Sequence, residues 1–249
     1  MQPYLFPYIG YFQAINEVDK YILYDDINFI KKAWINRNKH LLKNGDCTYF
    51  LIPLNKKSSF KKINEIEIIE NNIWKRRILK SIFFNYKKAK YFESVFPLIE
   101  DVINYPTNKL TEINYQSIKS VCDFLEINTV ISKDSFKYKD IESKLSNDEI
   151  NKNNFPDLML HNWDRKVVRI LGLCRIEKAN IYINAIGGLN LYSKDDFSLN
   201  GIDLKFIKTK SIKYMQFSND FVPNLSIIDV LMFNSKRDIK EMLTQFMLI

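Results

Sequence analysis

Asp25 and Asp26 stand side by side where the apolar run Tyr21-Ile-Leu-Tyr24 ends. A carboxylate at a strand end can grip a ribose, a sugar hydroxyl or an ammonium group. It becomes a general base when its pKa is raised. The alternative is a pair of loop carboxylates, or an ion pair with Lys31 or Lys32. A few residues on comes Trp34-Ile-Asn-Arg-Asn38. Arg37 offers a planar fork for phosphate or carboxylate that lysine cannot match. Trp34 supplies an apolar face for a sugar or base, and Asn36 and Asn38 add donors and acceptors. A loop anchored by a buried tryptophan would use the same residues.

Three further places carry chemistry. Pro7-Tyr-Ile-Gly10 precedes a helical pattern, so backbone amides at that turn would attract an anion; a plain strand-to-helix turn also needs glycine for packing. Gly187-Gly188 follows an apolar strand pattern, and their amides would hold a phosphate or a developing oxyanion. A tight turn with positive φ explains the same pair. Asn184 and Tyr192 flank it and would orient a substrate. His161, near Trp163 and Asp164, is a candidate base for amine deprotonation or a solvent-facing loop histidine. Cys174 lies on an apolar helix face and reads as a packed thiol. Ser226 and Asp229, like Ser235 and Asp238, fit capping-box spacing better than a catalytic triad.

The elements that must position these groups alternate strand and helix. Met1–Pro7, Tyr21–Tyr24, Cys47–Leu54 and Ile63–Ile69 read as strands, with a helix between the first two. The segment from about 74 to 126 is helical, with apolar stripes through Ile78, Ile82 and Tyr86, then Val95, Ile99 and Val102, then Ile113, Ser117 and Val121. Pro97 is expected in its helix's first turn, where the missing N–H is tolerated. The polar connection over about 133–160 is expected to be mobile. Asp164 is placed to cap the next helix, and strands follow at Asn180–Ile186 and Ile202–Ile207. This pattern predicts one α/β domain over 1–249, with a mainly parallel, doubly wound, Rossmann-like sheet and a helical insertion mid-chain. In such folds ligands sit beyond the carboxyl ends of strands, which puts the residues after Pro7, Tyr24 and Ile186 at the crevice.

Bulk composition sets the class. A chain of 249 residues with 46% hydrophobic and 27% charged residues is globular. Six Gly and seven Pro argue for long regular elements. A net charge of +8 suits phosphates, nucleotides or an acidic partner protein, or else a lysine-rich solvated surface. No RNA-binding signature or zinc finger accompanies that charge, which argues against specific nucleic-acid binding. Two histidines exclude a multi-histidine metal site, and Cys47, Cys122 and Cys174 lack zinc-ligand spacing. No secretory signal and no apolar run of about 18 residues is visible, so a cytoplasmic protein without a membrane span is expected.

The N-terminal run Gln2-Pro3-Tyr4, Phe6-Pro7-Tyr8-Ile9-Gly10-Tyr11-Phe12, Asp25-Asp26, Lys32, Trp34 and Asn36-Arg37-Asn38 resembles the WbqC-like family. So do Asn184, Ile186-Gly187-Gly188, Leu191-Tyr192, Phe197 and Gly201-Ile202, and the end Gln216, Phe221 and Pro223 to Asp229. The family is associated with bacterial O-antigen, lipopolysaccharide, capsule and related surface-polysaccharide clusters. The resemblance implies amide formation, N-acyl or aminoacyl, on a nucleotide-linked amino sugar. It assigns Arg37, Lys32 and the Gly10 turn to the pyrophosphate, and Tyr11, Trp34, Asn36 and Asn38 to the sugar. Gln2, Tyr4, Asn184, Tyr192 and Gln216 join as substrate contacts. Asp25, Asp26 and His161 compete as base, and Gly187 and Gly188 would face the oxyanion. A thioester on an acidic acyl or peptidyl carrier protein, or ATP, would supply the activated donor. Two other readings stay open: an ATP-dependent amide ligase of nucleotidyltransferase-like fold, and a non-catalytic nucleotide-sugar binding protein.

Overall fold

The computed structural model describes residues 1–133, 135–145, 150–217 and 220–249. In chain order the elements are α1 (Ile9–Asn16), β1 (Lys20–Ile22), β2 (Arg37–Leu41), β3 (Cys47–Leu51), β4 (Leu54–Asn55) and β5 (Glu67–Ile68). Three helices follow, α2 (Ile73–Tyr86), α3 (Phe92–Asn104) and α4 (Leu110–Leu125), and then β6 (Val130–Ser132). The rest are α5 (Lys139–Leu145), α6 (Arg165–Glu177), β7 (Ile181–Ala185), α7 (Lys194–Leu199), β8 (Asp203–Thr209), α8 (Ile227–Phe233), α9 (Lys236–Leu243) and β9 (Phe246–Leu248). They form two compact units. The larger holds Met1–Lys133 with Ser211–Gln245, the smaller Asp134–Lys210 with Phe246–Ile249.

The class is mixed α/β. Among the described residues the strands form four small sheets, where the sequence pattern predicts one doubly wound sheet. Pairing is parallel between β1 and β6 and between β7 and β8. It is antiparallel in the β2–β3 hairpin, in β4–β5 and in β8–β9.

Met1–Pro7 is not a strand, and the chain bends at Leu5 and Phe6. The Met1 carbonyl accepts the Tyr24 amide (2.8 Å), and no ladder continues from there. The chain breaks at Phe6, which has φ 45°, a left-handed conformation that a bulky residue adopts only when its surroundings enforce it. Those surroundings are three side chains from three elements. Ser117 Oγ of α4 accepts the Phe6 amide at 3.1 Å. Asn38 of β2 donates its side-chain amide to the Leu5 and Phe6 carbonyls, at 3.0 and 2.6 Å. Ser226, capping α8, donates its hydroxyl to the Phe6 carbonyl at 2.8 Å. The Phe6 ring and Leu5 are fully buried beside them.

The middle helices follow their stripes. Ile78, Ile82 and Tyr86 are buried on α2, and Val95, Ile99 and Val102 on α3. Pro97 lies in the second turn of α3, not the first. Its missing N–H would have met the carbonyl of Glu93, an exposed first-turn residue that water can satisfy. Asp164 caps α6 as expected, and Ser235 and Asp238 form a full capping box on α9. Of the connection over 133–160, Asp134 and residues 146–149 lie outside the described residues. Where described, it includes α5, with Ile141 and Leu145 buried.

If the Phe6 junction holds the N-terminal segment, Asn38→Ala should lower unfolding free energy by about 2 kcal/mol, because the buried Leu5 carbonyl loses its donor and the Phe6 carbonyl keeps only Ser226. Urea denaturation would show it as a lower midpoint at unchanged slope.

Candidate functional site

Helix α4 presents Thr111, Asn114 and Ser117, at i, i+3 and i+6, on one buried face. Ser117 holds Phe6, as above. Asn114 donates to the carbonyls of Pro3 (3.2 Å) and Ile35 (2.9 Å). Thr111 donates its hydroxyl to Asp25 Oδ2 at 2.5 Å. One polar stripe therefore ties together the N-terminal segment, the end of β1 and the loop that leads into β2. Successive members are about 4.5 Å apart along the helix.

Two acceptors on this stripe are left over. Asp25 Oδ1 and Asn114 Oδ1 are buried without a hydrogen-bond partner among the described residues. Burial pushes the Asp25 carboxyl above its ordinary value; the Thr111 hydroxyl opposes this and the neighbouring charge of Asp26 reinforces it. Asp26 is buried as well. A buried carboxylate with one oxygen held and the other open costs stability, which marks it as a candidate proton acceptor.

The loop after β1 carries a second feature. Lys32 is left-handed (φ 65°), and its carbonyl accepts the Arg37 guanidinium. The guanidinium carbon lies 5.7 Å from the Trp34 ring centre and 5.2 Å from that of Tyr49. The two rings are 6.1 Å apart and inclined by 31°. Lys39 Nζ stands 5.9 Å from the Trp34 ring. Trp34 is 43% and Tyr49 55% exposed, so this is a surface platform and not a buried anchor. Pairing of Arg37 with Leu51 and Lys39 with Tyr49 puts these side chains on the outer face of the hairpin. Aromatic faces flanked by cations suit a sugar or base bearing phosphate.

Other predicted residues of the larger unit serve the frame. Asn38 is spent on Leu5 and Phe6. Asn36 donates to the Ile52 carbonyl at 2.9 Å. Tyr11 is fully buried, its hydroxyl on the Gln2 carbonyl at 3.1 Å. Gly10 is buried in α1, whose first turn has no side-chain cap. Tyr4 is half-buried, and its hydroxyl accepts the Tyr8 amide at 3.3 Å. Gln216 is held on both sides, its amide donating to Asp229 and its oxygen accepting the Val222 amide.

That last contact belongs to a network the sequence pattern hides. Asp229 is completely buried and accepts from the Tyr86 and Tyr214 hydroxyls and the Gln216 amide, each at 2.7 Å. Burial raises its pKa and the three donors restrain the rise. Ser226 caps α8 as spacing suggests, but Asp229 turns into the core and does not complete a box. His40, also fully buried, bridges the Leu41 carbonyl and Ser81 at 3.0 Å each, and burial lowers its pKa.

In the smaller unit, Asn184, Gly188 and Tyr192 come together. A Cβ on Gly188 would sit 2.7 Å from the Asn184 side-chain nitrogen, so close approach explains this glycine; neither Gly187 nor Gly188 has positive φ. Burial raises the Tyr192 pKa. His161 is exposed in a loop, its backbone amide on Asp196 at 3.0 Å. Cys174 is buried and its thiol is pushed up to about 12, consistent with packing.

Thr111 and Asn114 are the residues that sequence inspection passes over. The available signal was three polar side chains at i, i+3 and i+6 within an otherwise apolar stripe. Two surface clefts, one lined by Glu70, Asn71, Trp74 and Lys75 and one by Glu126, Lys236 and Lys240, involve other residues.

The chain belongs to the WbqC-like protein family, whose sequence model matches residues 2–241. It is 25% identical over 228 residues to an uncharacterized protein of Mycobacterium tuberculosis, covering 90% of this chain and 88% of that one. No solved structure matches it.

A carboxyl whose pKa is raised on folding favours the folded state below its unfolded pKa and loses that contribution as pH rises through the folded value. Asp25→Asn should thus raise the thermal midpoint at pH 7 by roughly 2 °C. The gain should vanish in acid, where the wild-type carboxyl is already protonated. Melting curves across pH check both.

Proposed function

We propose that this WbqC-like protein is a transferase that forms an amide, N-acyl or aminoacyl, on a nucleotide-linked amino sugar in surface-glycan synthesis. Family membership supports the setting. The observation that carries the chemistry is Asp25, a buried carboxylate with raised pKa and one unpartnered oxygen. It shares its supporting helix with the loop bearing the Trp34, Arg37 and Tyr49 platform.

In this reading the platform takes the nucleotide diphosphate portion, with Arg37 on a phosphate and the rings on the base or sugar. The sugar amine attacks the carbonyl of an activated acyl donor. Asp25 takes the proton the nitrogen loses as the C–N bond forms, and the thiolate or phosphate leaves from the acyl carbon. An acidic carrier protein bearing a thioester suits the chain's positive charge. The reading rests on the larger unit alone, and His161 has no part in it.

The test is incubation of pure protein with nucleotide-linked amino sugars and carrier-linked acyl or aminoacyl donors, with and without ATP, following the sugar by mass spectrometry. A mass gain by one acyl or aminoacyl group is expected without ATP. Asp25→Asn should then cut turnover roughly 100-fold or more. Arg37→Ala should weaken nucleotide-sugar affinity about tenfold, and His161→Ala should leave both unchanged. Tight binding with no mass change across a broad panel would overturn the transferase reading, and product only with ATP would replace it with ligation.

A further inference from the structure

The positive charge of this chain is concentrated. Residues 56–90 hold eleven Lys and Arg against three Glu, a net +8 equal to that of the whole chain. Within this stretch the loop Lys56-Lys-Ser-Ser-Phe-Lys-Lys62 sets one aromatic ring among four lysines. Phe60 is 92% exposed, and all four lysines are exposed. None of the four makes an ion pair among the described residues.

The loop is built, not merely projecting. At its base the Lys61 carbonyl accepts the Phe29 amide at 2.8 Å, and Lys62 bridges Asn28 in antiparallel register. At its tip Ser58 turns the chain, its hydroxyl oxygen accepting the Phe60 amide at 3.2 Å and its carbonyl the Lys61 amide at 3.3 Å. Lys56, at φ 43°, starts the turn. The fold thus holds a phenylalanine in water with cations on either side.

The exposed face of α2 repeats this chemistry. Arg76, Arg77 and Lys80, with Lys87 at the C-cap, share it with Phe83 and Phe84, which are 41% and 48% exposed. Lys80 and Lys87 each stand 5.8 Å from the Phe84 ring centre. No acidic residue occurs between Asn71 and Lys90.

We propose that the 56–62 loop docks this protein on an anionic phospholipid surface, with Phe60 entering the acyl–headgroup boundary and its lysines on the headgroups. A lone projecting ring needs no matching pocket in a bilayer, whereas a protein partner would have to supply one. Lysine stems lie along the apolar boundary while their ammonium groups stay among phosphates. Each lysine near such a surface strengthens binding roughly fivefold. This proposal is independent of the transferase reading.

Flotation of the full chain tests it, using vesicles of phosphatidylcholine alone and of phosphatidylcholine with phosphatidylglycerol. Binding is expected only to the anionic vesicles, and added salt should weaken it. Phe60→Ser should weaken it roughly tenfold, and Lys57→Glu with Lys61→Glu should abolish it. Melting points should be unchanged, since these side chains are solvent-exposed. Absence of binding to anionic vesicles, equal binding by Phe60→Ser, or preference for a single-stranded oligonucleotide over the vesicles would overturn the proposal.

Discussion

The left-handed backbone at Phe6 is the constraint on which the larger unit depends. An unladdered segment running through a core leaves its amides and carbonyls without the usual partners. Here Ser117, Asn38 and Ser226 supply them, from a helix, a strand and a helix cap far apart in the chain. The backbone continues the pattern, with the Pro7 carbonyl accepting the Ile227 amide at 2.8 Å and the Lys39 carbonyl accepting the Ser226 amide at 3.0 Å. A conformation worth about 1–3 kcal/mol of strain persists because three distant parts of the chain over-determine it.

The candidate site grows from the same framework. The α4 stripe that fixes Phe6 through Ser117 also fixes the Ile35 carbonyl through Asn114 and Asp25 through Thr111. Two neighbouring sequence features, Asp25 and the Trp34–Arg37 loop, are thereby held on one helix. Stability and chemistry pull in opposite directions at Asp25. The Asp229 carboxylate is more deeply buried but fully answered by three donors. Asp25 has one donor and a buried, unpartnered oxygen, and that contrast separates a structural carboxylate from a candidate base.

Much of this was legible in the sequence. The Trp34-to-Asn38 run pointed to a cation beside an aromatic face, and Asp164 and Ser235 announced their helices. What escaped was the work done by tertiary hydrogen bonds. Met1–Pro7 has the apolar look of a strand, and nothing local says that Phe6 turns left-handed. Asn36 and Asn38 look like ligand contacts because their carbonyl partners, Ile52, Leu5 and Phe6, lie elsewhere in the chain. Asp229 has capping-box spacing, and only the arrival of Tyr86 and Tyr214 draws it into the core. Alternation of strands and helices predicted a doubly wound sheet; the described strands form four small sheets, and side chains, not a neighbouring strand, satisfy the backbone at Leu5 and Phe6.

In the proposed reaction Asp25 is the group that accepts the proton. Carboxyl-carbon NMR, following Asp25 through a pH titration with Asp25→Asn as the assignment control, addresses this role directly. Titration above the ordinary aspartate range is expected, moving higher still in Thr111→Ala, where the restraining hydroxyl is gone. An Asp25 that titrates at or below the ordinary value, with no response to the loss of Thr111, would contradict that role.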